Sequence, residues 1–401
     1  MHLRSSPEVS GQVVPNIKIK AYQMKVIFFS CLLICHYSFG QIEKLKPGPL
    51  KPGFISITRF DTSRPAVEEQ PAGDKGRIIQ VNVWYPSAGD TKRVSFADYI
   101  KLVGKELDIS SANKNPDQKG VDKYFEWPAS AGADKKMFMD FLDKKTPMQA
   151  YQNAKWLKQK KSLVMLVHGF AADYAYLAEY LAGNGYTVLQ VPVKGTTTYE
   201  LDYERKGLES QVKDYEFAIR IIEKEFAVAA EQIAVVGFSF GGQSAVALSL
   251  RNKNVKAIIS LDGGIGSAFG AQLLSRQNYY DAQLIKAPVL HLYNPNDTYT
   301  DLTWFDKINN TNRFLVAMKN MQHGHFTSFG LLNKIIPGII GKSAADPGNA
   351  YEAVMVLTKE FLDRSIKNGL TGRKDFFDTP KTAQTWIKDC IPSTEIKVAG
   401  S

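Results

Sequence analysis

The chain has 401 residues, 44% of them hydrophobic and 22% charged, and a formal net charge of +10 at neutral pH. That balance is the composition of an ordinary globular protein. No block of lysine and arginine with interleaved aromatics stands out, so the positive charge is no sign of nucleic-acid binding and speaks instead for solubility or weak attraction to anionic surfaces.

In chain order, the first feature is Met24-Lys25 followed by the apolar run VIFFSCLLICHYSFG, with the small residues Ser38 and Gly40 at −3 and −1 of a cut before Gln41. A short positive start, an apolar core too short to span a bilayer comfortably, and small residues at the cut predict a secretory signal peptide over about residues 24–40. Residues 1–23 read as sequence upstream of it. Cys31 and Cys35 would leave with the leader, so Cys390 would remain as the single cysteine and no internal disulfide could form.

Residues 41–53 are rich in proline and glycine and read as extended chain. Phe54–Arg59 and Arg77–Tyr85 are predicted strands, joined by a turn that starts at Asp61 and closed by Pro86-Ser87-Ala88-Gly89. Residues 90–160 are polar and lysine-rich with short amphipathic pieces. They predict an insertion of helices and loops, serving either as surface decoration or as a cap over the substrate entrance. From Ser162 the pattern turns regular. The strand SLVMLV ends in His168-Gly169-Phe170, a helix follows over Tyr174–Gly183, and YTVLQVPV is the next strand. Glu209–Phe226 is a long amphipathic helix, and IAVVGFSFGG is a buried strand running into a helix. VKAIISLD, APVLHLYN and RFLVAM are further strands before a closing helix over Ala350–Arg364. Strands alternating with helices predict an α/β fold with a mostly parallel central sheet, covered by helices on both faces. The domain reading is a leader over 1–40 and one domain over 41–401. No internal repeat and no low-complexity tract is present.

The chemistry centres on Gly237-Phe238-Ser239-Phe240-Gly241. A G-x-S-x-G stretch between a buried strand and a helix is the pattern of a nucleophile elbow, in which small residues let the backbone bend sharply and expose the serine above the sheet edge. A serine hydroxyl needs a base within hydrogen-bond reach and an acid to orient that base. Beyond the leader only four histidines remain: His168, His291, His323 and His325. His168 ends the first central strand and His291 lies inside one, so the base is expected in Met321–Phe326, as His323 or His325. Asp262 and Asp297 both follow strands and compete for the acid. Two backbone N–H groups are expected to form the oxyanion hole, those of Phe240 and Phe170. His-Gly-His with nearby aspartates offers no third ligand at a zinc-binding spacing, so neither metal nor cofactor is expected.

The chain resembles the α/β-hydrolases of the plasma-type platelet-activating factor acetylhydrolase group and its bacterial dienelactone-hydrolase-like relatives. The likeness covers about residues 50–90 and 160–365 and rests on VNVWYP, LVMLVHGF, GFSFGG, SLDGG and HGHFTSF. The resemblance implies the α/β-hydrolase fold. It also implies Asp262 as the acid, because the family's acid follows the strand after the elbow in a Leu-Asp context. It implies His323 as the base, through the spacing to Phe326 and Phe329. The chain departs from the pattern in the 90–160 insertion and in Asn294-Pro295-Asn296-Asp297, which is similar to the acid loop of other hydrolases. The expectation is a secreted serine hydrolase acting on small-molecule esters of short or medium acyl chains, acetyl included, with no nucleic-acid partner and no membrane span after leader removal. A catalytically silent protein or a peptidase on the same scaffold is the alternative.

Overall fold

A computed structural model describes residues 44–65, 76–106, 115–157, 162–196, 201–226, 228, 230–343, 345–367 and 374–400. The predicted signal peptide lies outside the described residues. Eleven strands form one sheet: β1 (Lys51–Asp61), β2 (Arg77–Ser87), β3 (Arg93–Ser95), β4 (Pro147–Gln152), β5 (Leu163–Val167), β6 (Thr187–Val191), β7 (Ile233–Phe238), β8 (Val255–Leu261), β9 (Val289–Tyr293), β10 (Arg313–Ala317) and β11 (Thr394–Lys397). Their order across the sheet is β11-β10-β9-β8-β7-β5-β6-β2-β1-β4-β3. Strands β6, β5, β7, β8, β9 and β10 are mutually parallel, and β2 joins them antiparallel through Asn82–Trp84.

The parallel strands are continuous apolar runs because both of their faces are covered. Val164 and Leu166 of β5, with Ala234 and Val236 of β7, enter one core. Leu163, Met165 and Val167, with Ile233 and Val235, enter the other. The first core is closed by α1 (Phe96–Glu106), α2 (Pro116–Ser130), α3 (Lys135–Asp143), α4 (Ala171–Gly183) and α8 (Gly348–Lys367). The second is closed by α5 (Arg205–Phe226), α6 (Gly241–Arg251) and α7 (Ala268–Ser275). On α5 the buried side chains Leu208, Val212, Tyr215, Ile219 and Ile222 recur at three- and four-residue steps, the stripe of an amphipathic helix. Helix α4 is buried along its whole length.

The expected fold class is therefore observed, with two differences. Residues 90–160 are more than helices and loops: β4 pairs parallel with β1 and β3 pairs with β4, so the insertion lengthens the sheet by two strands before α1–α3 pack onto it. The chain also adds β11 beyond the closing helix, antiparallel to β10. These strands are short and partly polar, and only the partner edge decides their conformation. Among the described residues no helix is long and apolar enough to cross a membrane.

A buried polar network ties the insertion to the sheet. Asn82 of β2 donates to Glu106 Oε1 of α1 and to Gln190 Oε1 of β6, both at 2.7 Å, and Gln190 Nε2 donates to the Gly169 carbonyl at 2.9 Å. Glu106 is fully buried and its Oε2 has no hydrogen-bond partner. Burial pushes its carboxyl up to about 8. The folded chain thus keeps a proton that the unfolded chain releases above about pH 4.5, and stability falls as pH rises between these two values. Glu106→Gln should come close to the parent near pH 5 and gain about 3–4 kcal/mol on it by pH 8, read by denaturant unfolding at both pH values.

Candidate active site

The carboxyl ends of β5, β7, β8 and β9 face one end of the sheet, where ligands of open α/β sheets bind. At the end of β7 the chain turns into α6 with Ser239 at φ +53°, a left-handed conformation that few non-glycine residues adopt. The flanking glycines are required by contact. A Cβ on Gly237 would stand 2.1 Å from the Gly241 carbonyl oxygen, and one on Gly241 would stand 2.2 Å from that of Val167. The predicted elbow is thus present as a backbone geometry. It is tied down by Gly264 N–H donating to the Ser239 carbonyl at 2.8 Å.

Ser239 Oγ lies 3.0 Å from His323 Nε2, and His323 Nδ1 lies 2.7 Å from Asp262 Oδ2. The other carboxylate oxygen, Asp262 Oδ1, accepts the Asn294 N–H at 2.8 Å. Asp262 is itself held at φ +46° at the end of β8 and is almost wholly buried. The His323 ring packs at 4.7 Å on Phe238 and keeps 38% of its side chain exposed, open to the site. This chain of contacts can move a proton from the serine to the imidazole while the carboxylate fixes the ring's orientation.

The remaining sequence candidates lie off this line of contacts, although Asp297, His291 and His168 line cavities that reach Ser239. Asp297 caps its own turn, accepting the Tyr299 N–H at 2.9 Å. His325 is fully buried and its Nδ1 accepts the Gln322 N–H at 2.9 Å. His291 is buried with Nδ1 2.9 Å from Ser260 Oγ and its ring stacked on Tyr293. His168 ends β5 with φ +71° and packs against Phe240. Burial pushes all three of these imidazoles down to about 4, so they stay neutral at physiological pH. Of the two expected oxyanion donors, Phe240 heads α6 directly after the serine. The Phe170 N–H donates to Asp173 Oδ2 at 2.8 Å. Helix α4 starts at Ala171, three residues before the expected Tyr174, and that early start puts an acid at its third position.

Two cavities meet at Ser239 and His323. One, of about 420 Å³, runs past Gly263, Phe269, Tyr293 and Tyr299. The other, of about 530 Å³, runs past Tyr124, Trp127, Phe170, Asp173 and Phe329. Tyr203 lines both. Tyr124 and Trp127 belong to α2, so part of the 90–160 insertion lines this cavity. Tyr124 stacks on Phe329 at 4.9 Å, and the Trp127 ring is 6.3 Å from that of His323. Sequence reasoning missed these aromatics, because the insertion showed no motif. It also missed Asp173, although an acid three residues after a helix N-cap is a readable signal. Among the described residues no group of three or more His, Cys, Asp or Glu side chains could hold a metal ion.

No curated protein matches the chain. Among solved structures it is similar to a ferulic acid esterase from Streptomyces cinnamoneus, with a TM-score of 0.59 and 18% identity over 89% of this chain and 99% of that one. That likeness is one of fold. The chain thus has the α/β-hydrolase fold, and within it residues 163–319, which hold Ser239 and Asp262 and stop four residues short of His323, match the dienelactone hydrolase family.

Proposed function

We propose that this chain is a serine hydrolase of carboxylic esters, with Ser239 as nucleophile, His323 as general base and acid, and Asp262 as the orienting carboxylate. The observation that carries this reading is the unbroken line Asn294 N–H, Asp262, His323, Ser239, with hydrogen-bond distances of 2.8, 2.7 and 3.0 Å. The family match over residues 163–319 supports ester hydrolysis independently of that geometry. Ser239 Oγ attacks the carbonyl carbon as His323 Nε2 takes its proton. The carbonyl electron pair moves to oxygen, and the intermediate collapses to an acyl-enzyme as the same proton passes to the leaving alkoxide. Water, deprotonated by His323, then attacks the acyl carbon, and that proton passes to Ser239 Oγ as the acyl–serine bond breaks and the acid leaves.

The substrates are esters with short or medium acyl chains, acetyl included. Two cavities on either side of the serine leave room for an acyl group and an alcohol, and the aromatic wall of Tyr124, Trp127 and Phe329 suits an apolar one. The signal-like segment over residues 24–40 supports export from the cell.

A fluorophosphonate probe should label the folded protein and fail to label Ser239→Ala; a parent that takes no label would indicate a silent scaffold. Asp262→Asn and His323→Ala should each lower kcat on p-nitrophenyl esters by on the order of 10⁴-fold. Asp297→Asn and His325→Gln should stay within about tenfold of the parent once folding is matched, as expected of side chains outside the proton path. Trp127→Ala should raise KM for a medium-chain ester by about tenfold while that for the acetyl ester changes little, in line with the loss of a buried apolar contact. Equal effects on both esters would remove Trp127 from the acyl wall.

A further inference from the structure

The oxyanion hole is where the geometry departs from a ready hydrolase. Asp173 Oδ2 accepts the Phe170 N–H at 2.8 Å, and this amide is the second donor that the turn after β5 can offer to an attacked carbonyl. Asp173 is 8% exposed, its carboxylate lies over Gly169, and it lines the same cavity as Ser239 and His323. The next amide, Ala171 N–H, is taken by Glu106 Oε1 at 3.3 Å. Buried carboxyl groups thus hold two successive amides at the start of α4. An N–H bond has one direction, and a strong bond to one acceptor weakens its reach to another.

We propose that Asp173 is a positioning residue that sets the number of oxyanion donors: while its carboxylate accepts the Phe170 N–H, the hole has only the Phe240 N–H, and loosening that bond completes it. The inference rests on the serine-hydrolase reading. The charge on Asp173 decides how firmly the amide is held, because an ionised carboxylate is about twice as strong an acceptor as a neutral group. The groups that face it are Glu106 from α1, Tyr124 from α2, Tyr174 from its own helix and Tyr351 from α8. The Tyr124 hydroxyl makes no well-aligned bond to it, and among the described residues no lysine or arginine pairs with it. Burial in this setting holds its carboxyl at about 7, so its charge appears as pH rises through neutrality. Ionisation then tightens the grip on Phe170 N–H and slows formation of the tetrahedral intermediate.

The test is the pH dependence of p-nitrophenyl acetate hydrolysis from pH 5.5 to 9.5 in the full chain, with folding followed by circular dichroism at each pH. The parent should show an alkaline limb that starts near 7. Asp173→Asn and Asp173→Ala should lose the alkaline limb and exceed the parent at pH 9 by about tenfold or more, in kcat rather than KM, since one oxyanion donor is typically worth about 10²–10³ in kcat. Glu106→Gln should keep the limb, which separates the two acids. A parent profile that stays flat to pH 9.5, or a limb that survives in both Asp173 variants, overturns the inference while Ser239-dependent turnover leaves the hydrolase reading standing. Absence of both turnover and fluorophosphonate labelling overturns the two together. Should both variants fail to fold, the parent profile still decides, because a plateau above pH 7 is incompatible with the proposal.

Discussion

The constraint on which the site depends is the close backbone approach at the end of β7. Gly237 touches the Gly241 carbonyl, Gly241 touches the Val167 carbonyl of β5, and Gly242 comes to 3.0 Å, measured from its would-be Cβ, of Gly263 beyond β8. The elbow is therefore wedged between the ends of its two neighbours in the sheet. Because β7 lies between β5 and β8, the His168–Phe170 turn stands on one side of Ser239 and Asp262 on the other. Each of these three strand ends carries a non-glycine residue at positive φ, namely His168, Ser239 and Asp262. Such conformations cost on the order of 1–3 kcal/mol each and persist only where the surroundings over-determine them. The shared packing of three strand ends supplies that, and it gathers three of the six such residues among the described ones where the chemistry is proposed.

The same end of the sheet is underpinned by polar groups placed in an otherwise apolar setting. Gln80, Asn82 and Gln190 are buried between apolar neighbours in β2 and β6, and they would be expensive to bury alone. They satisfy one another: Gln80 donates to Asn82, Asn82 to Gln190 and Glu106, and Gln190 to the Gly169 carbonyl. The network runs from β2 to the turn that precedes α4. Its role is to hold that turn in one arrangement, since an apolar replacement would pack as well yet leave the Gly169 carbonyl without its donor.

How far the site could be read from the residues follows from the same physics. The parallel strands were legible because double burial demands unbroken apolar runs such as LVMLV and IAVV, and the elbow because its glycines are fixed by backbone contact. His168 and His291 could be set aside from their strand positions; His291 meets Ser260 Oγ and His168 packs against Phe240. Asp262 against Asp297, and His323 against His325, could not be separated by pattern. Both aspartates follow strands, and what distinguishes them is that Asp297 folds back onto its own Tyr299 amide. The two histidines are two residues apart on a short 3₁₀ segment, His323–Phe326, that directs one ring to Ser239 and buries the other. Strands β3, β4 and β11 were illegible because RVS, PMQAYQ and TEIK are polar edge segments, stabilised by pairing rather than by their own periodicity.

The division of labour along the chain gives the site its character. The stretch that matches the dienelactone hydrolase family holds the proposed nucleophile Ser239, the proposed acid Asp262 and the amides of Phe170 and Phe240, all on the ends of central strands or in the turns that follow them. The insertion before it supplies Tyr124 and Trp127 to the cavity wall and Glu106 to the support of α4. Chemistry needs sub-ångström placement and sits on the sheet, whose register is pinned on both faces by core packing. Selectivity needs only a wall of suitable shape, and helices laid across one edge can provide it. An insertion that both lines the pocket and holds an amide beside the oxyanion loop couples these two roles. A change in α1 or α2 that alters which ester fits would also alter how the loop beside Ser239 is held, so substrate range and rate in this fold would not vary independently.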